Sequence, residues 1–398
     1  MRNTLYNTPE KVIFCKVCCN SNQRPSSSPE FKKTNSDIDT VGFKDGICDA
    51  CRYFEQKKKI DWKLREKELA DLCDKFRRND GAYDVVVPGS GGKDSFFVSH
   101  YLKHKYNMNP LTVTWAPLRY TEIGWRNLQN WIKAGFDNIL ITPNEKIRGK
   151  LTQLAFKKLV NPFQPFIIGQ RTIASKYAEK YGVKLIMYGE NQAEAHNNIE
   201  ETKTSLMDVK HFTITDEEKK KFHISGCNLD ELKSHGININ DLNLYIPIER
   251  DKFLKTKSEL HYMSYFINWS PQSNYYYAKK YGNFESNFDR SEGTYTKYSS
   301  LDDKVDGQHY YTMYIKFGQG RAMNDVNRDI RDGFITREEG VNLIEKYDGE
   351  FPKKNFSEFL DFINITEQEY WEIIDKARPS HLWSRNGNKW KLIHKVKN

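Results

Sequence analysis

The strongest pattern along the chain lies between residues 84 and 105, where the apolar run Asp84-Val85-Val86-Val87-Pro88 meets Gly89-Ser90-Gly91-Gly92-Lys93-Asp94-Ser95. Behind that loop Phe97, Tyr101 and Leu102 recur at helical spacing. Three β-branched residues in succession suit a buried parallel strand, so the stretch predicts strand, tight loop and helix. Further strands are predicted at 111–115, 138–142 and 184–188, alternating with helices at 121–134, 145–160 and 163–181. This alternation predicts an α/β fold, a doubly wound parallel sheet whose ligands bind at the carboxyl ends of the strands. Ahead of it, residues 61–80 carry Trp62, Leu64, Leu69, Leu72 and Phe76 among charges and read as an amphipathic linker helix.

After residue 196 the pattern changes. Residues 197–249 form a polar excursion, read either as a lid or specificity insertion or as a surface elaboration. Residues 250–398 are aromatic and mostly helical, with Tyr262, Tyr265, Phe266 and Trp269 placed along one helix before the break at Ser270-Pro271-Gln272. Thr336-x-x-Glu339 and Thr366-x-x-Glu369 are capping boxes, and a basic tail runs from Lys389 to Lys397. The organisation expected is therefore 1–60, 61–80, an α/β domain at 81–196, the insertion at 197–249, and the C-terminal substrate region at 250–398.

With 398 residues, 38% hydrophobic and 29% charged, the chain has material for two or three domains with real cores. No apolar run approaches the length of a membrane span and residues 1–10 are polar, so a cytoplasmic protein without membrane contact is expected. The formal charge of +9 admits an anionic partner, but its lysines are dispersed, which equally describes solvated helix faces and makes nucleic acid an unlikely ligand.

Seven cysteines in such a chain point to metal or chemistry before disulfides. Cys15-Lys-Val-Cys18 and Cys48-Asp-Ala-Cys51 are two CxxC knuckles, each able to place two thiolates on a tetrahedral zinc. The loop between them has too few apolar residues to fold alone, so metal would supply the missing stability of a zinc-ribbon-like unit over 1–60. Four thiolates leave no open position, which favours a structural zinc. Cys19, beside Cys18, leaves one ligand assignment open.

The glycine loop opens a helix, so its amides and the positive end of the helix dipole face an anion, with Ser90 and Ser95 as further donors and Gly89, Gly91 and Gly92 available for positive φ. A phosphate chain fits. The Walker A template does not, because Asp94 follows Gly92-Lys93 and Val87 stands where its first glycine belongs. Ser90-Gly91-Gly92-Lys93-Asp94-Ser95 instead resembles the pyrophosphate loop of the PP-loop ATP pyrophosphatases, whose fold is of the adenine nucleotide alpha hydrolase type. That resemblance implies ATP bound with its β and γ phosphates on the loop, and a substrate oxygen attacking the α phosphate. It carries phosphate contacts onto Ser90, Gly91, Gly92, Lys93 and Ser95, and Mg²⁺ onto Asp94. It places Trp115 near the adenine and Gly189, Glu190 and Asn191 near the ribose or α phosphate. Arg171 would neutralise phosphate charge or stand as an ordinary helix cation. Glu190 or His196 would be the general base.

Residues 293–309 are dense in hydroxyls, carboxylates and one imidazole, which suits a grip on a polyhydroxylated ligand through Tyr298, Ser299, Ser300, Asp302, Asp303, Lys304 and His309. The order of cysteine knuckles, glycine loop, Tyr188-Gly189-Glu190-Asn191, Tyr298-Ser299-Ser300-Leu301-Asp302-Asp303-Lys304 and Lys346-Tyr347-Asp348-Gly349-Glu350-Phe351-Pro352 is similar to that of the bacterial N-acetyl sugar amidotransferases. Those proteins are associated with O-antigen and flagellin-glycan sugars of pseudaminic or legionaminic type. The resemblance implies a nucleotide-sugar substrate whose acetamido group becomes acetamidino, with ATP, Mg²⁺ and Zn²⁺ as cofactors. No segment provides a glutaminase, so ammonia would come from a separate glutaminase subunit or from solution. Two other readings use the same features. One is a tRNA-modifying thiolase or lysidine-type ligase, disfavoured because Cys73 and Cys227 do not form a catalytic pair. The other is a zinc-containing adaptor that binds nucleotide without turnover.

Overall fold

The structure, a computed structural model, describes residues 4–26, 29–32, 39–191, 194, 199–387 and 389–397. Its centre is a parallel sheet of five strands: β1 (Val85–Pro88), β2 (Pro110–Trp115), β3 (Asp137–Ile141), β4 (Leu185–Tyr188) and β5 (Glu259–Tyr262). They lie in the order β3-β2-β1-β4-β5, with every neighbouring pair parallel. The three inner strands are almost wholly buried, as a sheet covered on both faces requires.

Strand parity sorts the two faces. Val86 joins Leu111, Val113 and Trp115 in the core beneath α3 (Glu145–Leu159) and α4 (Gln164–Tyr181), named after α1 (Lys93–Tyr106) and α2 (Glu122–Lys133). Val85 and Val87 point the other way, onto Val98 and Leu102 of α1 and onto Leu69 and Cys73 of the Trp62–Phe76 linker helix. The second layer also holds α2, whose Trp131 indole donates to Ser99 Oγ of α1 at 2.8 Å, and α5 (Pro271–Gly282), whose Ala278 shares a cluster with Phe96.

The fifth strand departs from the expected helix across Tyr262, Tyr265, Phe266 and Trp269. Two periodicities overlap there. Leu260 and Tyr262 alternate with Glu259 and His261 and pair with β4, whereas the helical spacing belongs to the Met263–Tyr265 turn that follows. The central sheet therefore closes on a strand from beyond the insertion.

The insertion itself carries more core than its polarity suggests. Phe212, Phe222, Ile224, Leu232, Leu242 and Tyr245 are all buried in the cluster under α3 and α4. Most of it thus packs beside the sheet, and of its described residues only Met207 reaches the cleft described below.

Two helices complete the frame of the site: α6 (Asp306–Phe317) and α7 (Arg321–Asp332). Asp348 caps α7, its carboxylate accepting from the amides of Gly320 at 2.8 Å and Met323 at 3.1 Å. The Thr336–Glu339 capping box forms with both of its bonds. The basic tail does not trail away: Lys389–Leu392 pairs antiparallel with Trp383–Asn386, and the Trp383 indole donates to Ile315 O at 2.7 Å. No helix among the described residues is long and apolar enough to cross a membrane.

Candidate functional site

A cleft of about 460 Å³ opens at the carboxyl ends of β1 and β4. Its floor is the loop from Gly89 to Ser95. Gly91 has φ +85°, and a Cβ there would stand 2.7 Å from the backbone of Leu128 in α2. A Cβ on Gly89 would overlap Ser95 at 2.1 Å. Of the three glycines available for positive φ, Gly91 alone adopts it; Gly92 has φ −68° and ψ 164° and serves as the N-cap of α1. It provides no side-chain cap, so the first-turn amides of α1 are left to a ligand or solvent. The Ser95 hydroxyl donates to Gly92 O at 3.1 Å and braces the turn.

Lys93 and Asp94 form an ion pair at the mouth of this loop. The other Asp94 oxygen accepts from Asn274 Nδ2 of α5 at 2.8 Å. Lys93 Nζ lies 5.8 Å from the ring centre of Tyr298, which stacks on Tyr275 with centroids 4.6 Å apart and donates to Gln272. Lys93, Asp94 and Tyr298 are thus gathered at one point. Arg171 lines the same cleft from α4, as do Ser90, Gly189, Glu190 and Asn191.

Asn191 lines the cleft with its side chain engaged elsewhere. It is 1% exposed, its side-chain amide donating to the Tyr53 hydroxyl at 2.9 Å and its backbone N–H to Ser264 Oγ at 2.8 Å. It ties the end of β4 to the N-terminal unit.

Arg321 and Arg328 complete the wall opposite the loop, and the sequence reading had not singled them out. Arg328 donates to Glu190 at 2.8 Å. Arg321 lies against Asp325 at 3.2 Å and donates to the Tyr310 hydroxyl at 2.6 Å. The spacing Arg321, Asp325, Arg328 puts all three on one side of α7, a signal readable in sequence once that helix is placed. Behind them burial pushes Asp306 up to about 6, against the pull of Arg321. Burial likewise pushes Asp329 up to about 6, against the hydrogen bond from the Tyr295 hydroxyl.

Three expectations are corrected. Trp115, expected near an adenine, is buried with its ring against Gly169 and edge-on to Tyr245, because parity with Leu111 and Val113 turns it to the α3 and α4 face, and it does not line the cleft. Asp303 is buried too, its carboxylate accepting from the backbone amides of Leu118, Arg119 and Val305, so it fastens the loop to the end of β2. His309 lies on α6 and stacks on Phe163 at 4.9 Å, outside the cleft lining.

The remaining loop residues disperse. Ser299 is buried, and its carbonyl accepts from Ser291 Oγ at 2.7 Å. Asp302 packs over Gly124, where an added Cβ would meet its backbone at 2.4 Å. Ser300 and Lys304 line a second, polar cleft of about 660 Å³ beside the 287–292 segment, where Lys304 pairs with Glu358 at 2.6 Å. His196 falls outside the described residues.

The region from residue 292 onward now holds α6, α7, the Asp348 cap and the terminal hairpin. Residues 292–397 match the family model for the C-terminal domain of LPS biosynthesis protein WbpG-like proteins. No curated protein matches the chain. The WbpG-like region is thus the part that supplies Arg321 and Arg328 to the cleft and sets Tyr298 beside Lys93. The Lys346–Pro352 motif within it is scaffolding: Asp348 caps α7, and Glu350 takes a two-pronged bond from Arg290 at 2.6 and 2.7 Å.

The N-terminal unit brings together the four expected sulfurs. Cys15, Cys18, Cys48 and Cys51 are buried with their Sγ atoms all within 4.8 Å of one another. Cys15 to Cys51 is 3.8 Å and Cys18 to Cys48 is 3.7 Å, matching the edge of about 3.8 Å of a tetrahedron built on metal–sulfur bonds of about 2.3 Å. Amides of Asn20 and Cys48 donate to Cys18 Sγ and Cys15 Sγ at 3.4 and 3.3 Å, as thiolates favour. Cys19 turns away into the cluster with Met323 and Val326, and its backbone N–H donates to Asn327 at 2.8 Å. The donor set fits zinc and excludes Cys19.

Proposed function

We propose that the chain is an ATP-dependent amidotransferase of bacterial surface-glycan biosynthesis, converting the acetamido group of a nucleotide-activated sugar to an acetamidino group. The observation that carries the reading is the uncapped N-terminus of α1 facing Arg171, Arg321 and Arg328 across one cleft. A triphosphate on the loop would meet first-turn amides and Lys93, and the opposite arginines would receive charge that grows at the α phosphate. The match of residues 292–397 to an LPS biosynthesis domain supports a glycan precursor as acceptor.

The chemistry would run in two displacements. The acetamido oxygen attacks the α phosphorus of ATP and pyrophosphate leaves; ammonia then adds to the activated carbon, and the oxygen departs with AMP. An amide carbonyl is a poor electrophile, and adenylation turns its oxygen into a leaving group. Asp94, half-buried at the mouth of α1 and steadied by Asn274, is the residue that would hold Mg²⁺, which would supply positive charge to the phosphates. Glu190 is the described candidate for taking the proton from the incoming nitrogen, once a substrate draws Arg328 away. Ammonia would reach the cleft from a separate glutaminase subunit or from solution.

The thiolase alternative gains nothing from Cys73 and Cys227. Cys73 and Cys227 are buried in separate clusters on opposite faces of the sheet, and burial raises both thiols. The test is to incubate the protein with ATP, Mg²⁺, ammonium and CMP- or UDP-linked acetamido sugars, following AMP, pyrophosphate and sugar mass. The reading expects AMP with pyrophosphate and a sugar lighter by about one mass unit, oxygen having been replaced by NH. Cleavage only between the outer phosphates, or none with any acceptor, overturns it.

A further inference from the structure

The helix that lines the cleft also lines the cysteine centre. Along α7 the residues Asn324, Asn327 and Arg331 fall on one side, and Arg321, Asp325 and Arg328 on the adjoining one. The first side is bound by the N-terminal unit: Arg24 donates to Asn324 at 2.6 Å, and the Cys19 amide to Asn327 at 2.8 Å. Just before the helix, Gln319 receives the Ser21 amide at 3.3 Å. Ile330 packs directly on the four-cysteine cluster.

Arg331, next to it, is 7% exposed, and its Nη1 is buried with no hydrogen-bond partner among the described residues. Its charge interacts with Cys18, Cys51 and Cys48, with Glu194, and with the neighbouring Asp332. A buried guanidinium with no carboxylate bonded to it calls for a fixed negative charge nearby. Four thiolates around a divalent cation carry two net negative charges in a buried place, and they call for a cation in turn.

We propose that Arg331 is the counter-cation of a tetrathiolate metal centre, and that through it the bound metal fixes the position of α7 and hence of Arg321 and Arg328 in the cleft. Arg331 is a positioning residue in this arrangement. The metal centre is then a distant support of the cleft wall as well as a staple for the N-terminal unit. The inference rests on the cysteine geometry and α7, and not on the ATP reading.

The test uses full-length protein loaded with zinc or with cobalt(II), as wild type, Arg331→Met and Arg331→Lys. Metal release to a chromogenic chelator is timed, the cobalt–thiolate absorption is recorded, and hydrogen exchange is measured over 321–332 before and after metal removal. Arg331→Met is expected to release metal about tenfold faster than wild type while keeping tetrahedral cobalt bands, the scale of loss found for residues bonded to metal ligands elsewhere. Stripping metal from wild type is expected to speed exchange in 321–332 and leave 122–133 unchanged. Release from Arg331→Met at the wild-type rate overturns the proposal, and so does unchanged exchange over 321–332. Should Arg331→Met not fold, Arg331→Lys decides with the exchange data: release within about threefold of wild type upholds the role of the charge, and faster release defeats it. No arm contains nucleotide, so failure of the ATP chemistry leaves the outcome intact.

Discussion

Glu190, at the turn closing β4, accepts a 2.8 Å bond from Arg328 on α7, and this pair bridges the cleft between the sheet and the WbpG-like region. Both side chains are mostly buried. Replacing Arg328 with Gln leaves Glu190 without its ionic partner and is expected to lower stability by about 1–3 kcal/mol. Pyrophosphate binding, measured by calorimetry, should weaken about tenfold if the arginine also meets phosphate. A double-mutant cycle with Glu190→Gln should return a coupling on the order of 1 kcal/mol in denaturant unfolding.

Gly91 and Gly92 should respond in opposite ways. Gly91→Ala drives a Cβ against Leu128 at a positive φ and is expected to cost about 2 kcal/mol or more, with loss of nucleotide binding. At Gly92 the nearest obstacle is Ser90 Oγ at 3.6 Å and φ is ordinary, so Gly92→Ala should fold within about 0.5 kcal/mol of wild type. Chemical denaturation of the two variants separates them.

Metal analysis should find one zinc per chain, retained in full by Cys19→Ser and lost or strongly reduced in Cys48→Ser. Only Cys48 stands in the sulfur tetrad. Equal retention by both variants would contradict the ligand set.

Asp329 predicts a pH dependence. Burial raises its carboxyl from an ordinary 3.8 to about 6, so the contribution it makes to stability is complete below pH 4 and is lost as pH rises through 6. Wild type should therefore lose stability relative to Asp329→Asn between pH 4 and 7, on the order of 1–3 kcal/mol. Parallel thermal melts across that range read the difference.

Trp115→Phe, finally, should leave ATP affinity unchanged and cost about 1–3 kcal/mol of stability, since its ring fills core beside Gly169. A matching loss of affinity would put an aromatic contact back in the cleft.

The readable parts of the chain were those in which local pattern and tertiary role agree. Val85 to Val87 are β-branched because they are buried on both faces, and Gly91 is glycine because α2 stands against it, so strand and loop announce themselves in sequence. The two CxxC knuckles are legible for the same reason: thiolate spacing is local chemistry. Trp115 was misassigned because a strand end gives no hint of parity, which only the neighbouring Leu111 and Val113 and the pairing with β1 supply. Arg321 and Arg328 escaped notice because helix cations are common, and their role depends on the distant contacts of α7 with the N-terminal unit. The 293–309 loop was rich in ligand-type groups, yet Asp303 uses its carboxylate on backbone amides, a demand that composition does not reveal.

One wall of the cleft follows β1 and the other belongs to α7, far along the chain, with the N-terminal unit clasping the second wall. During synthesis the nascent protein can therefore shape its glycine loop well before the arginines that face it have been made. A product stopped between β1 and α7 would carry the loop without its opposing charges.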